Sequence, residues 1–139
     1  MAGPSVALEE ELSEADRRRV LDGLIAFNTA KAGPLDHREL FVSLREQGEL
    51  RGACVGRTYW NWLYVDMLWI AEGFRDRGYG KTLLSSAEEE ARGRGCRNVY
   101  LDTFSFQAPE FYRKLGYEEF GRLPDFPDGH ARFFLTKEL

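Results

Sequence analysis

Between Trp62 and Leu101 the chain runs through a strand pattern, a glycine turn, an amphipathic helix pattern and a second strand pattern, and few folds accommodate that order. Trp62 to Ile70 is rich in β-branched and aromatic residues and reads as a strand. Leu83, Leu84, Ala87 and Ala91 then fall on one helical face, with Glu88, Glu89, Glu90 and Arg92 expected to face water, until Gly93 and Gly95 end the helix. Val99-Tyr100-Leu101 opens the next strand. Strand, helix and strand in this order predict a right-handed crossover between parallel strands, the helix covering one sheet face. The turn from Phe74 to Leu84 thus falls at a strand's C-terminal end, where ligands of open α/β sheets gather.

The remaining segments extend this unit. Val6 to Glu11 is expected to be a first strand, followed by a helix with Ser13 as N-cap, Glu14 and Asp16 in its first turn, and Val20, Leu21, Leu24, Ile25 and Phe27 at helical spacing. Gly33-Pro34 stops it. Leu40 to Leu44 and Arg51 to Tyr59 read as strands punctuated by Gln47-Gly48 and Trp60-Asn61. Ala108 to Leu115 reads as a short helix closed by Gly116, and Tyr117 to Leu123 and Ala131 to Lys137 as two final strands. With no internal repeat, the expectation is a single α/β or α+β domain over residues 1–139, built on a mixed sheet.

Composition narrows the function classes. At 139 residues, 43% hydrophobic and 30% charged, the chain can bury a core without disulfides or metal. No apolar run approaches the roughly 20 residues that span a bilayer, and the N-terminus lacks a signal-peptide pattern, so no membrane and a cytoplasmic location are expected. Cys54 and Cys96, with His37 and His130, show no metal-ligand spacing, so no metal is expected and both cysteines read as core residues. The net charge of -4 argues against nucleic acid and suits a basic acceptor such as an amine.

The turn itself offers anion chemistry. The first helical N–H groups lack intrahelical acceptors and sit at the positive end of the helix dipole. Gly78 and Gly80 would let a phosphate approach the backbone, and Arg75, Arg77 and Lys81 could add charge. The dinucleotide fingerprint fails because Leu83 stands at its third glycine, and the nucleotide-triphosphate loop fails because Arg75 stands at its first. By itself the turn fits either a phosphate ligand or a helix start that merely uses glycine to bend.

The flanks carry more. Leu68 to Gly80 resembles the acetyl-CoA signature of the GCN5-related N-acetyltransferases, [QR]-x-x-G-x-[GA], with Arg75, Gly78 and Gly80 at its fixed positions. Ala108-Pro109-Glu110-Phe111-Tyr112-Arg113-Lys114-Leu115-Gly116-Tyr117 resembles the family's second signature. The resemblance spans nearly the whole chain. It implies a twisted, mostly antiparallel sheet of six or seven strands around the parallel crossover, and direct acetyl transfer from acetyl-CoA to an amine. By the same resemblance the backbone of Leu68, Trp69 and Ile70 holds the pantetheine arm and thioester, and Arg75, Asp76, Arg77, Gly78, Tyr79, Gly80 and Lys81 hold the phosphates. Two positions depart from the pattern: Glu72 stands where proline is common, and Ser105 where asparagine often contacts the pantetheine arm.

An amine of pKa about 10.4 must lose a proton, and the departing thiolate must gain one. Tyr112 occupies the family's acid position, and a phenol of pKa about 10 suits a thiolate. Asp66, inside an apolar strand, and Glu72, beside the turn, are the candidate bases, ahead of Asp102. Tyr59, Trp60 and Trp62 could cradle a cationic amine, and His130 could contact substrate. The leading expectation is a small-molecule amine N-acetyltransferase, with a homodimer expected from the family resemblance, protein N-termini or lysines as alternative acceptors and an acyl-CoA-binding sensor as the non-enzymatic alternative.

Overall fold

The computed structural model describes residues 3–139, which fall into two compact units, 3–35 and 36–139. In the first, the Ser13 side chain accepts a hydrogen bond from the Asp16 N–H at 3.1 Å and opens α1, Glu14–Ala32. Gly33, at φ 87°, ends it with its N–H on the Thr29 carbonyl at 2.9 Å. The apolar residues of α1 are exposed, Val20, Leu24 and Phe27 among them. Val6 to Glu11 is not the expected strand: the segment is unpaired, and Val6 and Leu8 are fully exposed. Three consecutive glutamates leave it only Val6 and Leu8 as large apolar side chains, too few to offset the cost of ordering against a sheet.

The second unit is a six-stranded sheet in the order β1-β2-β3-β4-β6-β5, so the expected six or seven strands resolve to six. Its strands are β1 (Arg38–Glu46), β2 (Glu49–Tyr59), β3 (Trp62–Ile70), β4 (Asn98–Phe104), β5 (Glu118–Pro124) and β6 (Ala131–Glu138). Only β3 and β4 pair parallel. The β1-β2 and β2-β3 hairpins turn on Gln47-Gly48 and Trp60-Asn61, and all four residues have positive φ, the two-residue turn that matches strand twist. Helix α2, Tyr79–Gly93, connects β3 to β4, and α3, Pro109–Lys114, connects β4 to β5.

Period-two alternation sorts the sheet's faces. Leu63, Val65, Val99, Leu101 and Leu135 are buried with Leu83, Leu84, Ala87 and Ala91 of α2, each large aliphatic side chain contributing about 1.5–3 kcal/mol. The intervening Trp62, Tyr64, Tyr100 and Asp102 belong to the other face. One residue of the helix departs from expectation. Glu88 does not face water: it is 5% exposed, because Tyr117 and Lys137 approach α2 from distant parts of the chain and satisfy its carboxylate.

Two irregularities shape the end of the sheet near α2's first turn. Parallel pairing stops at Val65 and Leu101, after which β3 pairs only with β2 and β4 only with β6. The strands therefore part, leaving the inner edge of β3 open from Asp66 to Ile70. Opposite this point the β2-β3 register shifts: Val55 faces Met67 and Gly56 faces Val65, so Asp66 is the extra residue of a bulge. Gly56 permits the close approach, since a Cβ there would lie 2.4 Å from the Tyr64 carbonyl oxygen.

Candidate active site

The open edge of β3 leads straight into the turn. A 3-10 turn over Glu72–Phe74 reverses the chain, and the Arg75 Nε donates to the Ile70 carbonyl at 2.9 Å, tying the turn to the strand end. Gly78, at φ 84°, takes the left-handed conformation that L side chains resist and caps α2. The helix's first backbone bond runs from the Thr82 N–H to the Gly78 carbonyl at 3.2 Å. The N–H groups of Tyr79, Gly80 and Lys81 precede any intrahelical acceptor. Arg77 lies over the rings of Phe74 and Tyr79, and Arg51, which sequence reasoning passed over, lies 5.3 Å over Phe74 from β2. The turn thus carries Arg75, Arg77 and Lys81 at a helix N-terminus, with Arg51, paired to Glu49 at 2.8 Å, against its Phe74 ring; Asp76, exposed at φ 60°, is a backbone turn residue among them.

Tyr112 sits at the parting of the strands. Burial first, then the nearby Cys54 thiol and Asp102 carboxyl, push its phenol up to about 12. Cys54 opposes Leu68 on the open stretch of β3, and Asp102 is the first β4 residue beyond the parallel pairing. Phe111 and Tyr117 pack edge-on against the Tyr112 ring, at 5.1 and 5.8 Å. A phenol held this way stays protonated through neutral pH and can donate.

The three carboxylates separate. Asp66 is exposed on its bulge rather than buried among the apolar residues of β3, and Glu72 is exposed at the start of the 3-10 turn. Asp102 is engaged: its Oδ1 accepts from the Arg132 guanidinium at 2.7 and 2.8 Å, and the Tyr64 hydroxyl donates to its Oδ2 at 3.4 Å. Ser105 is committed to the sheet, its hydroxyl oxygen accepting from the Ala131 N–H at 3.0 Å.

Tyr59, Trp60 and Trp62 do come together, with Tyr100, Phe120 and Thr136, around an open groove of about 560 Å³. They do so at the opposite end of β3, eight residues from Ile70, or about 26 Å along a strand. His130 is placed at the nearer end, its ring 5.1 Å from Phe106 in a cluster with Phe104 and Phe126. That cluster carried no sequence signal beyond a Pro-rich loop, because its members meet only when β6 returns beside β4.

A cationic glycine turn, a strand edge left unpaired beside it and a protonated phenol at the same opening define a transferase for a long, phosphate-bearing donor. Its sheet order and parallel crossover narrow this further. The model of the "Acetyltransferase (GNAT) family" matches residues 7–117, and the chain belongs to that family, with acetyl-CoA as its cosubstrate. It is 35% identical over 131 residues to the acetyltransferase Atu2258 of Agrobacterium fabrum, covering 93% of this chain and 96% of that one. It is also 44% identical over 95 residues to the blasticidin-S acetyltransferase of Streptomyces morookaense, covering 68% and 70%. A crystal structure of an acetyltransferase from Agrobacterium tumefaciens superposes with a TM-score of 0.91 at 33% identity, covering 98% of this chain and all of that one.

Proposed function

We propose that the chain is one N-acetyltransferase domain that moves an acetyl group from acetyl-CoA directly to a primary amine of a small, cationic molecule. The observation that carries this is the parting of β3 from β4 beside the α2 N-terminus, with Tyr112 at the opening. The donor's phosphates lie on the turn from Arg75 to Lys81, and its arm runs along Leu68 to Ile70 as an added strand. The amine nitrogen attacks the thioester carbonyl carbon; the N–C bond forms, the C–S bond breaks, and the departing thiolate takes the Tyr112 proton. The amine proton leaves to water under Asp66 or Glu72, both exposed where β3 opens and runs into the turn. A backbone N–H of the open β3 edge polarises the carbonyl as charge develops on its oxygen.

A small amine acceptor is supported by the relative named for blasticidin S, to which the chain is 44% identical. The two buried, unpaired cysteines suit a reducing cytoplasm, and the exposed apolar residues of α1 suit a homodimer. The test is free-thiol release from acetyl-CoA across an amine panel that includes blasticidin S, polyamines and a lysine peptide. Turnover with small amines is expected. Binding of acetyl-CoA with no turnover on any amine would instead favour a sensor, and turnover on the peptide alone a protein acetyltransferase.

A further inference from the structure

The buried Glu88 is not used by the transfer as described. The Tyr117 hydroxyl donates to its Oε2 at 2.6 Å, and the Lys137 ammonium lies 3.2 Å from both carboxylate oxygens and 5.3 Å from the centre of the Tyr117 ring. Three elements meet there: α2, the entry to β5, and β6. An acid is an expensive choice on this helix face, whose neighbours Leu84, Ala87 and Ala91 are apolar, because the carboxylate and ammonium must both be desolvated. A leucine would bury at no such cost. What the charged cluster provides instead is a fixed geometry, since each partner is held by direction as well as by contact.

That geometry reaches Tyr112. The Tyr117 N–H donates to the Tyr112 carbonyl at 3.1 Å, and the two rings pack edge-on. At the other side of α3, a Cβ at Gly80 would lie 3.3 Å from the tip of Phe111. Helix α3 is thus clamped against α2 at two levels, at the glycine turn and two turns of helix later. We propose that Glu88, acting through Tyr117 with Lys137, is a positioning residue that holds Tyr112 in register with the donor turn. The inference rests on Tyr112 being the acid of the transfer.

Tyr117→Phe tests it by deleting one hydroxyl while keeping the ring and the backbone bond. With the amine that turns over fastest in the panel, kcat falls at least fivefold while the acetyl-CoA Kd stays within twofold. In the Tyr112→Phe background the same change costs nothing further, because the acid it positions is gone. Glu88→Gln, which keeps an acceptor for the Tyr117 hydroxyl, retains more kcat than Glu88→Leu. In protein labelled with 13Cζ-tyrosine, the Tyr112 resonance, identified by its loss in Tyr112→Phe, moves in Tyr117→Phe without any acceptor present. Unchanged kcat with an unmoved resonance in Tyr117→Phe, or losses that multiply in the double variant, overturns the positioning role while leaving the acid role standing. An unaffected kcat in Tyr112→Phe removes the acid, and the positioning role falls with it.

Discussion

Gly80→Ala separates a glycine kept for the donor from one kept for the fold. Gly80 is the second residue of α2 and does not need a positive φ, so alanine fits its backbone. Glycine to alanine inside a helix gains roughly 0.5–1 kcal/mol. Against this, the new methyl lies 3.3 Å from Phe111 Cζ, a contact relieved by a shift of a few tenths of an ångström at a ring tip. Net stability should change by less than about 1 kcal/mol, a Tm shift within roughly 5 °C for a domain of this size. The donor pays a different cost. If its phosphates sit against the N–H groups of the first turn, the methyl displaces them and removes at least one charge-assisted hydrogen bond, about 1.5–3 kcal/mol. That corresponds to a Kd for CoA roughly 10- to 150-fold weaker. Gly93→Ala, at the other end of α2 with nothing within 4 Å of its Cβ, is the control: the same residue change with CoA affinity unaltered. Calorimetric titration of CoA into the three proteins, with Tm measured alongside, decides the matter. A Gly80→Ala protein that keeps its Tm and binds CoA within twofold of the parent would refute a phosphate site at this turn.

Glu88→Ala strands the Lys137 ammonium and is expected to cost about 3–5 kcal/mol, read as a lowered urea midpoint, whereas Glu88→Leu with Lys137→Met restores most of the stability. Tyr112→Phe slows thiol release while leaving CoA affinity within twofold, measured by the same titration. The fold should weaken from the alkaline side. Burial, with a lesser contribution from Glu88, pushes the Cys54 thiol from 9.0 up to about 12, and Tyr112 rises from 10.0 to about 12. Both pKa values are raised on folding, so their contribution is fully present below pH 9 and is lost as pH climbs through 12. Tm recorded from pH 7 to 11 should therefore stay level and then drop above pH 9, and less steeply in Cys54→Ala. A Tm independent of pH up to 11 contradicts this. Asp102→Asn, which loosens Arg132 without touching the donor turn, should alter the KM for amine more than that for acetyl-CoA.

Strand and helix order, both hairpin turns and the glycine turn were legible from the chain because each depends on near neighbours. Period-two and helical spacing act over a few residues, and left-handed φ at Gln47-Gly48, Gly78 and Gly33 follows from local sterics. Phe111-Tyr112 was legible in the same way, through a short signature. Local pattern misled where the deciding partner is remote. Glu88 reads as part of an acidic surface run, yet its burial is decided by Tyr117 and Lys137, 29 and 49 residues away. Asp66 reads as a carboxylate inside an apolar strand, and only the register of β2 against β3 turns it out on a bulge. Tyr59, Trp60 and Trp62 look like neighbours of the site in one dimension, but the length of β3 carries them to its far end. Apart from the strand expected over Val6 to Glu11, the sequence by itself determined the elements and the glycine turn that opens α2, since those are set by local backbone preference. Which side chains stand at the opening between β3 and β4 was decided only by tertiary structure, because strand register, sheet order and the packing of α3 on α2 are relations between segments that no single segment encodes.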